Sequence, residues 1–509
     1  MLTSEQIYTK VTDAAHIKRY GQYFTKDLIA DFMCRWTSAN AKTMLDPAVG
    51  NSVFFKYTRK YNQRCQMTGY EIDSHMLRFF GNPTSAEIFA SDYLTSDWEA
   101  QYDAIVCNPP YSRFQLIDNR ADILDSIYTH TGIKYSGYTN LYTMFLLKSI
   151  FQMSGTGKLA YLIPSEFLNS KYGTPIKKLL ICQNLLHTII NFKNDRDLFC
   201  NATTTCCILL LDKTPKNTVT FINLPSANAL VHGSTANHEI VSNIVQYKDL
   251  SASEKWRIHF NCEAQIQHGH LRPISDFCIV SRGIATGSND FFCFSRSKAE
   301  QLKIPSNQLS KCICHSADIT APKFSDESFQ SLEAKDKRVY LLDVQNEVDE
   351  NTKSYLLQGE KNGTSKKYLL AHRSPWYSME KKSDAPIWVT SAGRKRIKFV
   401  RNLTNAKSLT TFHSIFIRAP YAEYTNVIFC YFLTPTAQQL IRQNRKDLGN
   451  GLEKFQPSDL SSALMVDINL ISDADKQTIR QLYSQLQSYD DSVILQMDAI
   501  FSSYLTSAS

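Results

Sequence analysis

The segment Asp103-Ala-Ile-Val-Cys-Asn-Pro-Pro-Tyr111 carries an apolar strand directly into two consecutive prolines. Each proline fixes its own φ angle and pushes the residue before it toward extended geometry, so the chain leaving the strand is stiff. A stiff loop at the carboxyl end of a parallel strand is where an open α/β sheet binds ligands. The Asn108 side chain and the Pro109 carbonyl can both accept hydrogen bonds from one amino group, and Pro110 extends the rigid turn to Tyr111. Tyr111 offers a flat face on which a base can stack. A rigid turn with an incidental tyrosine is the alternative reading of these four residues, and the strand in front of them favours a site.

Working outward, Met44-Leu45-Asp46-Pro47-Ala48-Val49-Gly50-Asn51-Ser52 is a second strand followed by a turn of small residues. Such a turn lets the backbone approach a ligand closely. Gly69-Tyr70-Glu71-Ile72-Asp73 and Ala90-Ser91-Asp92-Tyr93 follow at intervals that match successive βα units. An acid at the second strand end can hold both ribose hydroxyls of a nucleoside cofactor, and the next can accept from an adenine amino group. Taken singly, each acid is better explained as a helix N-cap or a solvated strand end. Four strand ends in order (Asp46, Glu71, Asp92, Asn108) are harder to explain that way. Strands are expected at Thr43–Asp46, Gln66–Glu71, Ile88–Ser91, Ala104–Cys107, Leu159–Ile163, His187–Phe192 and Thr205–Leu211. Amphipathic stretches such as Asp27–Thr37 and Tyr142–Met153 lie between them, which is the pattern of βαβ units in a parallel sheet.

From about residue 245 the regular alternation is lost, and short β-like runs are separated by polar segments. The expected organisation is a domain over 1–245, a second, mixed α/β domain over 246–470 and a helical segment over 471–509. Between residues 366 and 401, Lys366, Lys367, Arg373, Lys381, Lys382, Arg394, Lys395, Arg396, Lys398 and Arg401 are interleaved with Tyr368, Trp376, Tyr377 and Trp388. This composition suits contact with phosphates, and it also describes a solvated face.

The 509 residues carry a formal charge of +8, which permits a polyanionic partner without requiring one. With 43% hydrophobic residues the chain is neither disordered nor fibrous. The N-terminus has no secretory signal pattern, and the longest apolar runs, Cys206–Leu211 and Val427–Leu433, are strand-sized. A chain without membrane spans, acting in the cytoplasm, is expected. The 13 cysteines fit reduced, mostly buried thiols. Cys312-Ile-Cys314-His315 looks like a metal fragment, but no second Cys/His pair with ligand spacing follows it, so no metal is expected.

The ordered motifs resemble those of the γ-class DNA adenine-N6 methyltransferases, the TaqI-like and Eco57I-like enzymes of restriction–modification systems. Tyr20-Gly21-Gln22-Tyr23-Phe24-Thr25 is similar to that family's opening G-Q-x-x-T segment. The D-P-A-x-G turn, the E-x-D and S-D strand ends and N-P-P-Y follow in the family's order. Tyr138–Tyr142 resembles its N-L-Y segment, Lys158–Phe167 its V-P-S/T strand, and Phe199 with Asn201–Leu211 its late motif, whose aromatic residue packs on the flipped adenine. Val280–Asn289 resembles the R-G-I-x-T-G-x-N opening of its target-recognition domain, and Asn450–Pro457 the closing segment. The family usually has glycine where Ser52 stands and often cysteine at Val49; serine is small enough to keep the turn.

The resemblance covers nearly the whole chain. It implies a Rossmann-like methyltransferase sheet with a C-terminal target-recognition domain, S-adenosyl-L-methionine as cofactor and double-stranded DNA as substrate. The implied cofactor residues are Tyr23, Thr25, Asp46, Pro47, Ala48, Gly50, Glu71, Ile72, Asp92, Tyr93, Asn108 and Pro109. Asn108, Pro109, Pro110, Tyr111 and Phe199 are the implied catalytic set. DNA contacts are expected from Arg282, Thr286, Asn289, Arg373, Trp376, Arg394, Lys395, Arg396 and Lys454. Nothing resembles a nuclease domain, so any cleavage is expected of a separate cognate restriction endonuclease, or the enzyme is solitary. The rival readings are a methyltransferase of RNA or of protein glutamine, and a non-catalytic DNA-binding subunit.

Overall fold

Alternate residues of the central strands face opposite sides of one sheet, as the two-residue period of a strand requires. In a computed structural model of the chain, Leu45, Ile105, Cys107, Leu159, Tyr161 and Ile163 enter one buried apolar cluster. Their neighbours Met44, Ala104, Val106, Ala160 and Leu162 enter another on the opposite face. Both faces are covered, which is why these strands read as nearly continuous apolar runs. The structure describes residues 2–506 apart from 82, 84, 113–118, 135–139, 171–172, 193–204, 231–240, 261–269, 346, 394–395, 445 and 448–452.

The described chain forms two compact units, Met1–Glu263 with Asp447–Asn450, and Ala264–Lys446 with Gly451–Ser509. The strands of the first are β1 (Thr43–Asp46), β2 (Gln66–Tyr70), β3 (Ala86–Phe89), β4 (Tyr102–Cys107), β5 (Met153–Pro164), β6 (Leu186–Phe192), β7 (Cys206–Asp212), β8 (Thr218–Leu224) and β9 (Val241–Gln246). They form one sheet in the order β3-β2-β1-β4-β5-β7-β6-β8-β9. β3, β2, β1, β4 and β5 are mutually parallel. The sheet is mixed rather than purely parallel, because β7 runs antiparallel between β5 and β6 and β9 antiparallel to β8.

Strand order reverses between β1 and β4, which pair at Met44–Ala104 and Leu45–Ile105. A crevice opens at such a switch point, beyond the carboxyl ends of the strands. That places the turn after Asp46 beside the loop after Cys107. Helix α3 (Asp27–Ser38) packs on one face through Ile29, Ala30, Met33, Cys34 and Thr37, a helical stripe. α6 (Leu141–Phe151), buried along almost its whole length, covers the other. α1 (Ser4–Val11), α2 (Ala14–Tyr20), α4 (Val53–Tyr61) and α5 (Ser74–Phe80) complete the surroundings of the crevice.

The second unit holds a five-stranded sheet in the order Cys278–Arg282, Phe412–Ile417, Ile387–Thr390, Phe399–Asn402, Lys323–Phe324. A four-stranded sheet runs Cys293–Phe294, Tyr340–Leu342, Leu309–Ile313, Lys407–Ser408. The apolar run Val427–Leu433, strand-sized in the sequence, belongs to the helix Thr425–Leu433; a fully buried segment has no polar face to reveal its period. It shares an apolar core with the helices Asp473–Gln485 and Val493–Thr506. No helix among the described residues is long and apolar enough to cross a membrane.

Candidate active site

A cavity of about 440 Å³ lies at the carboxyl ends of β1, β2 and β4. That is within the roughly 300–1,000 Å³ of small-molecule sites. Tyr23, Thr25, Pro47, Ala48, Gly50, Glu71, Ile72, Asp92, Tyr93, Asn108 and Pro110 all line it. Tertiary structure thus brings together residues spread over nearly ninety positions of sequence.

The turn after β1 is a backbone cradle tied to β2. The Val49 amide donates to the Tyr70 carbonyl at 3.0 Å, and the Gly50 amide to Glu71 Oε2 at 3.0 Å. Gly50 has φ +55°, a left-handed conformation natural to glycine. Ser52 is also left-handed, at φ +61°. That backbone explains why the resembling family prefers glycine there. Asp46 is fully buried: Oδ1 accepts from the Ala48 amide at 3.1 Å, while Oδ2 is buried with no partner. Burial raises its pKa to about 8, aided by the charge of Glu71.

Glu71 presents its carboxylate at the cavity with each oxygen anchored, Oε2 by Gly50 and Oε1 by the Asp73 amide at 2.8 Å. Burial raises its pKa above the usual carboxylate range, against these two donors. Ile72, beside it, is 57% exposed, an apolar side chain left at the cavity wall. Asp92 accepts from the Leu94 amide at 2.9 Å and from Asn119 Nδ2 at 3.5 Å. The Tyr93 ring is buried, with its hydroxyl bonded to Ser149 Oγ and Gln152 Oε1.

At the end of β4, Asn108 Nδ2 donates to the Tyr23 carbonyl at 2.7 Å and to Thr25 Oγ1 at 3.0 Å. Asn108 Oδ1 is buried and has no partner. Both amide protons are therefore used in orienting the side chain, and its acceptor is left available. Pro109 is buried. The Tyr111 hydroxyl donates to the Leu162 carbonyl at 2.9 Å, and its ring stacks on Tyr23 at 5.4 Å between centroids. Phe199 lies outside the described residues.

Several positions that sequence reasoning did not assign support this site. Gly21 caps α2 in a left-handed conformation, and a Cβ there would fall 3.0 Å from the backbone nitrogens of Tyr111 and Ser112. Asp73 Oδ2 gathers His16 Nε2 at 2.8 Å, Gln22 Nε2 at 2.7 Å and the Tyr8 hydroxyl at 3.4 Å, which ties α1 and α2 to the strand end of Glu71. Lys148 is fully buried, and its Nζ donates to the carbonyls of Tyr93 at 2.6 Å and Ser96 at 2.8 Å, fastening the turn after Asp92. Burial brings its pKa down to about 7. A lone lysine inside the apolar run Leu141–Phe151 was the available signal.

In the second unit, Arg282 is exposed and paired with Glu380 at 2.9 Å. Thr286 is buried, and its hydroxyl donates to Asn289 Oδ1 at 2.5 Å. Arg373 is committed to its own fold: it donates to the carbonyls of Ala285 at 2.5 Å and Thr286 at 3.3 Å. Trp376 packs against Phe291 and Phe292 and donates to Glu360. Arg396 bonds to Asp490 and the Tyr489 carbonyl, whereas Lys454 is exposed. Arg394 and Lys395 lie outside the described residues.

The model of the N-6 DNA methylase family matches residues 5–268, and that of the C-terminal domain of the Type II methyltransferase M.Eco57I matches residues 258–501. The Type II methyltransferase M.AccI of Acinetobacter calcoaceticus is 36% identical over 499 residues, 95% of this chain and 92% of that protein. M.XamI of Xanthomonas campestris pv. amaranthicola is 22% identical over 471 residues, 87% of this chain and 84% of that one. The Type IIL restriction–modification enzyme MmeI, solved in complex with DNA, shares the fold with a TM-score of 0.64 at 12% identity, over 99% of this chain and 78% of that chain. A strand-end cavity with an amide acceptor held open at N-P-P-Y, matched along nearly the whole chain, places the protein in the N-6 DNA methylase family, among the adenine-N6 DNA methyltransferases of Type II restriction–modification systems.

Proposed function

We propose that methyl transfer takes place in the cavity at the ends of β1, β2 and β4, with S-adenosyl-L-methionine as the donor and an adenine turned out of duplex DNA as the acceptor. The observation that carries this reading is Asn108: its amide protons are bound by Tyr23 and Thr25, and its buried Oδ1 is unpartnered.

The residues present fit the donor. The Gly50 turn allows close backbone approach, the anchored Glu71 carboxylate suits ribose hydroxyls, Ile72 offers an apolar wall for a base, and Asp92 can accept from an amino group. When bound, S-adenosyl-L-methionine supplies an electrophilic sulfonium methyl. The adenine amino group is a poor nucleophile, because its lone pair is delocalised into the ring. Asn108 Oδ1 and the Pro109 carbonyl accept its two N–H bonds and favour a more sp³-like nitrogen. Holding that nitrogen in a rigid pocket supplies much of the rate enhancement without any nucleophilic side chain.

An amino group inside a duplex cannot be reached, so the base is unstacked at a cost of a few kcal/mol. Tyr111 and Phe199 would offset part of that cost by stacking, at about 1–3 kcal/mol per base. Tyr23 stacks on Tyr111 in this structure, so base entry on that face displaces it. The second unit holds and reads the duplex. Arg282 and Lys454 are exposed, and we assign Arg394, Lys395 and Arg396 to the same role. Arg373 and Thr286 support that surface by holding the segment Ala285–Asn289, and Trp376 packs on Phe291 and Phe292 just beyond it. Any restriction activity paired with this methyl transfer then belongs to a separate endonuclease.

The test is Asn108→Ala, measured as transfer of labelled methyl to duplex DNA. A loss of about 10²–10³-fold in turnover is expected from removing a positioned acceptor. Near-normal turnover would remove this site from the account.

A further inference from the structure

We propose that Cys293, Cys312 and Cys314 form a binding site for a thiophilic divalent cation, zinc, in the second unit. The three Sγ atoms lie within 4.8 Å of one another, and the residues are 3%, 0% and 1% exposed. Among the described residues they are the one group of at least three His, Cys, Asp or Glu side chains with ligand atoms drawn together in this way. A tetrahedral site with Zn–S bonds of about 2.3 Å requires sulfurs about 3.8 Å apart. Cys312 Sγ and Cys314 Sγ stand 3.8 Å apart already.

The sulfurs are presented by regular backbone. Cys293 begins the strand Cys293–Phe294, and Cys312 lies in Leu309–Ile313, with Cys314 just beyond it. Both strands pair with Tyr340–Leu342, and the Cys312 amide donates to the Val339 carbonyl at 2.8 Å. Ligands held on paired strands lose little freedom on binding a metal. Three thiolates around a dication carry one net negative charge. Arg338, itself paired with Asp290, is close enough to act electrostatically on Cys293 and Cys314 and to offset part of that excess. Three thiolates leave one tetrahedral position, which a water molecule can fill. In the sequence, Cys312-Ile-Cys314 lacked a second pair downstream. The third thiol comes from nineteen residues upstream, across an intervening strand.

Binding replaces thiol protons by the metal and joins two strands that follow the segment Ala285–Asn289. The competing account is that three thiols pack as small apolar groups. The experiment uses the full chain, reduced and freed of metal by a chelator, then titrated with zinc and separately with cobalt(II). The expected result is about one ion per chain, with thiolate-to-cobalt charge-transfer absorption, and weaker binding on acidification as protons compete for sulfur. Cys312→Ser and Cys293→Ser each weaken binding at least tenfold, whereas Cys182→Ser, at an exposed thiol, leaves it unchanged. Wild-type protein that binds no stoichiometric zinc or cobalt under reducing conditions would overturn the proposal, whether or not the variants fold. The readout is metal content, so it is independent of where methyl transfer occurs.

Discussion

Thr25 Oγ1 accepts a hydrogen bond from Asn108 Nδ2 at 3.0 Å, across 83 residues of sequence. The G-Q-Y-F-T segment therefore does more than line the cavity. It sets the rotation of the Asn108 amide, so that Oδ1 rather than Nδ2 is left free.

Thr25→Val removes one of the two groups that orient Asn108 and preserves the shape of the side chain. One neutral hydrogen bond is worth about 1 kcal/mol. Turnover should fall several-fold to about tenfold, with little change in the binding of S-adenosyl-L-methionine measured by calorimetry. An equal loss of donor binding would show that Thr25 serves the cofactor instead.

Glu71→Ala removes the carboxylate at the cavity and the acceptor that anchors the Gly50 amide. Charged hydrogen bonds contribute about 1.5–3 kcal/mol. Donor affinity should drop roughly 10–100-fold, while binding of duplex DNA in a gel-shift assay stays within about twofold. Unchanged donor affinity would remove Glu71 from the cofactor site.

Tyr111 separates two contributions. Tyr111→Phe keeps the ring and loses the bond to the Leu162 carbonyl, so it should cost about 1 kcal/mol of stability and little turnover. Tyr111→Ala loses the stacking surface, and turnover should fall about 10–100-fold while duplex binding persists. Equal turnover in the two variants would remove stacking from the mechanism.

Asp46 imposes a pH dependence on stability. Its pKa is about 8 in the fold against an ordinary value of 3.8, so the folded state binds the proton more tightly than the unfolded chain. Its contribution is fully present below pH 3.8 and is lost as pH rises through about 8. Asp46→Asn, which retains an acceptor for the Ala48 amide, should flatten this slope and raise the melting temperature most at the alkaline end. A wild-type slope in the variant would assign the effect to another group.

Ser52→Gly tests the strained turn. A non-glycine residue in left-handed geometry costs about 1–2 kcal/mol, and glycine loses about 0.5–1 kcal/mol of that through its freer unfolded chain. A net gain of about 0.5 kcal/mol in denaturant unfolding is expected, and a loss would mean that the serine side chain makes a compensating contact.

Local chemistry determined much of this protein from the sequence alone. Apolar runs placed β1 to β7 to within a few residues at most of their ends, except the long N-terminal part of β5, because strands covered on both faces carry a continuous signal. Two prolines made the Asn108 loop stiff whatever surrounds it, and the order of strand-end residues pointed to the crevice at the carboxyl ends of the strands. Tertiary structure decided what depends on distance through space. It set the antiparallel insertion of β7 and turned Val427–Leu433 into a helix, because pairing and full burial override short-range pattern. It also gave Arg373 and Trp376 partners within their own unit, which their charge and ring in the sequence did not reveal. Asn108 shows the division most clearly. Its identity and its loop are readable in nine consecutive residues, but the free Oδ1 depends on Tyr23 and Thr25, which only folding brings within hydrogen-bond reach.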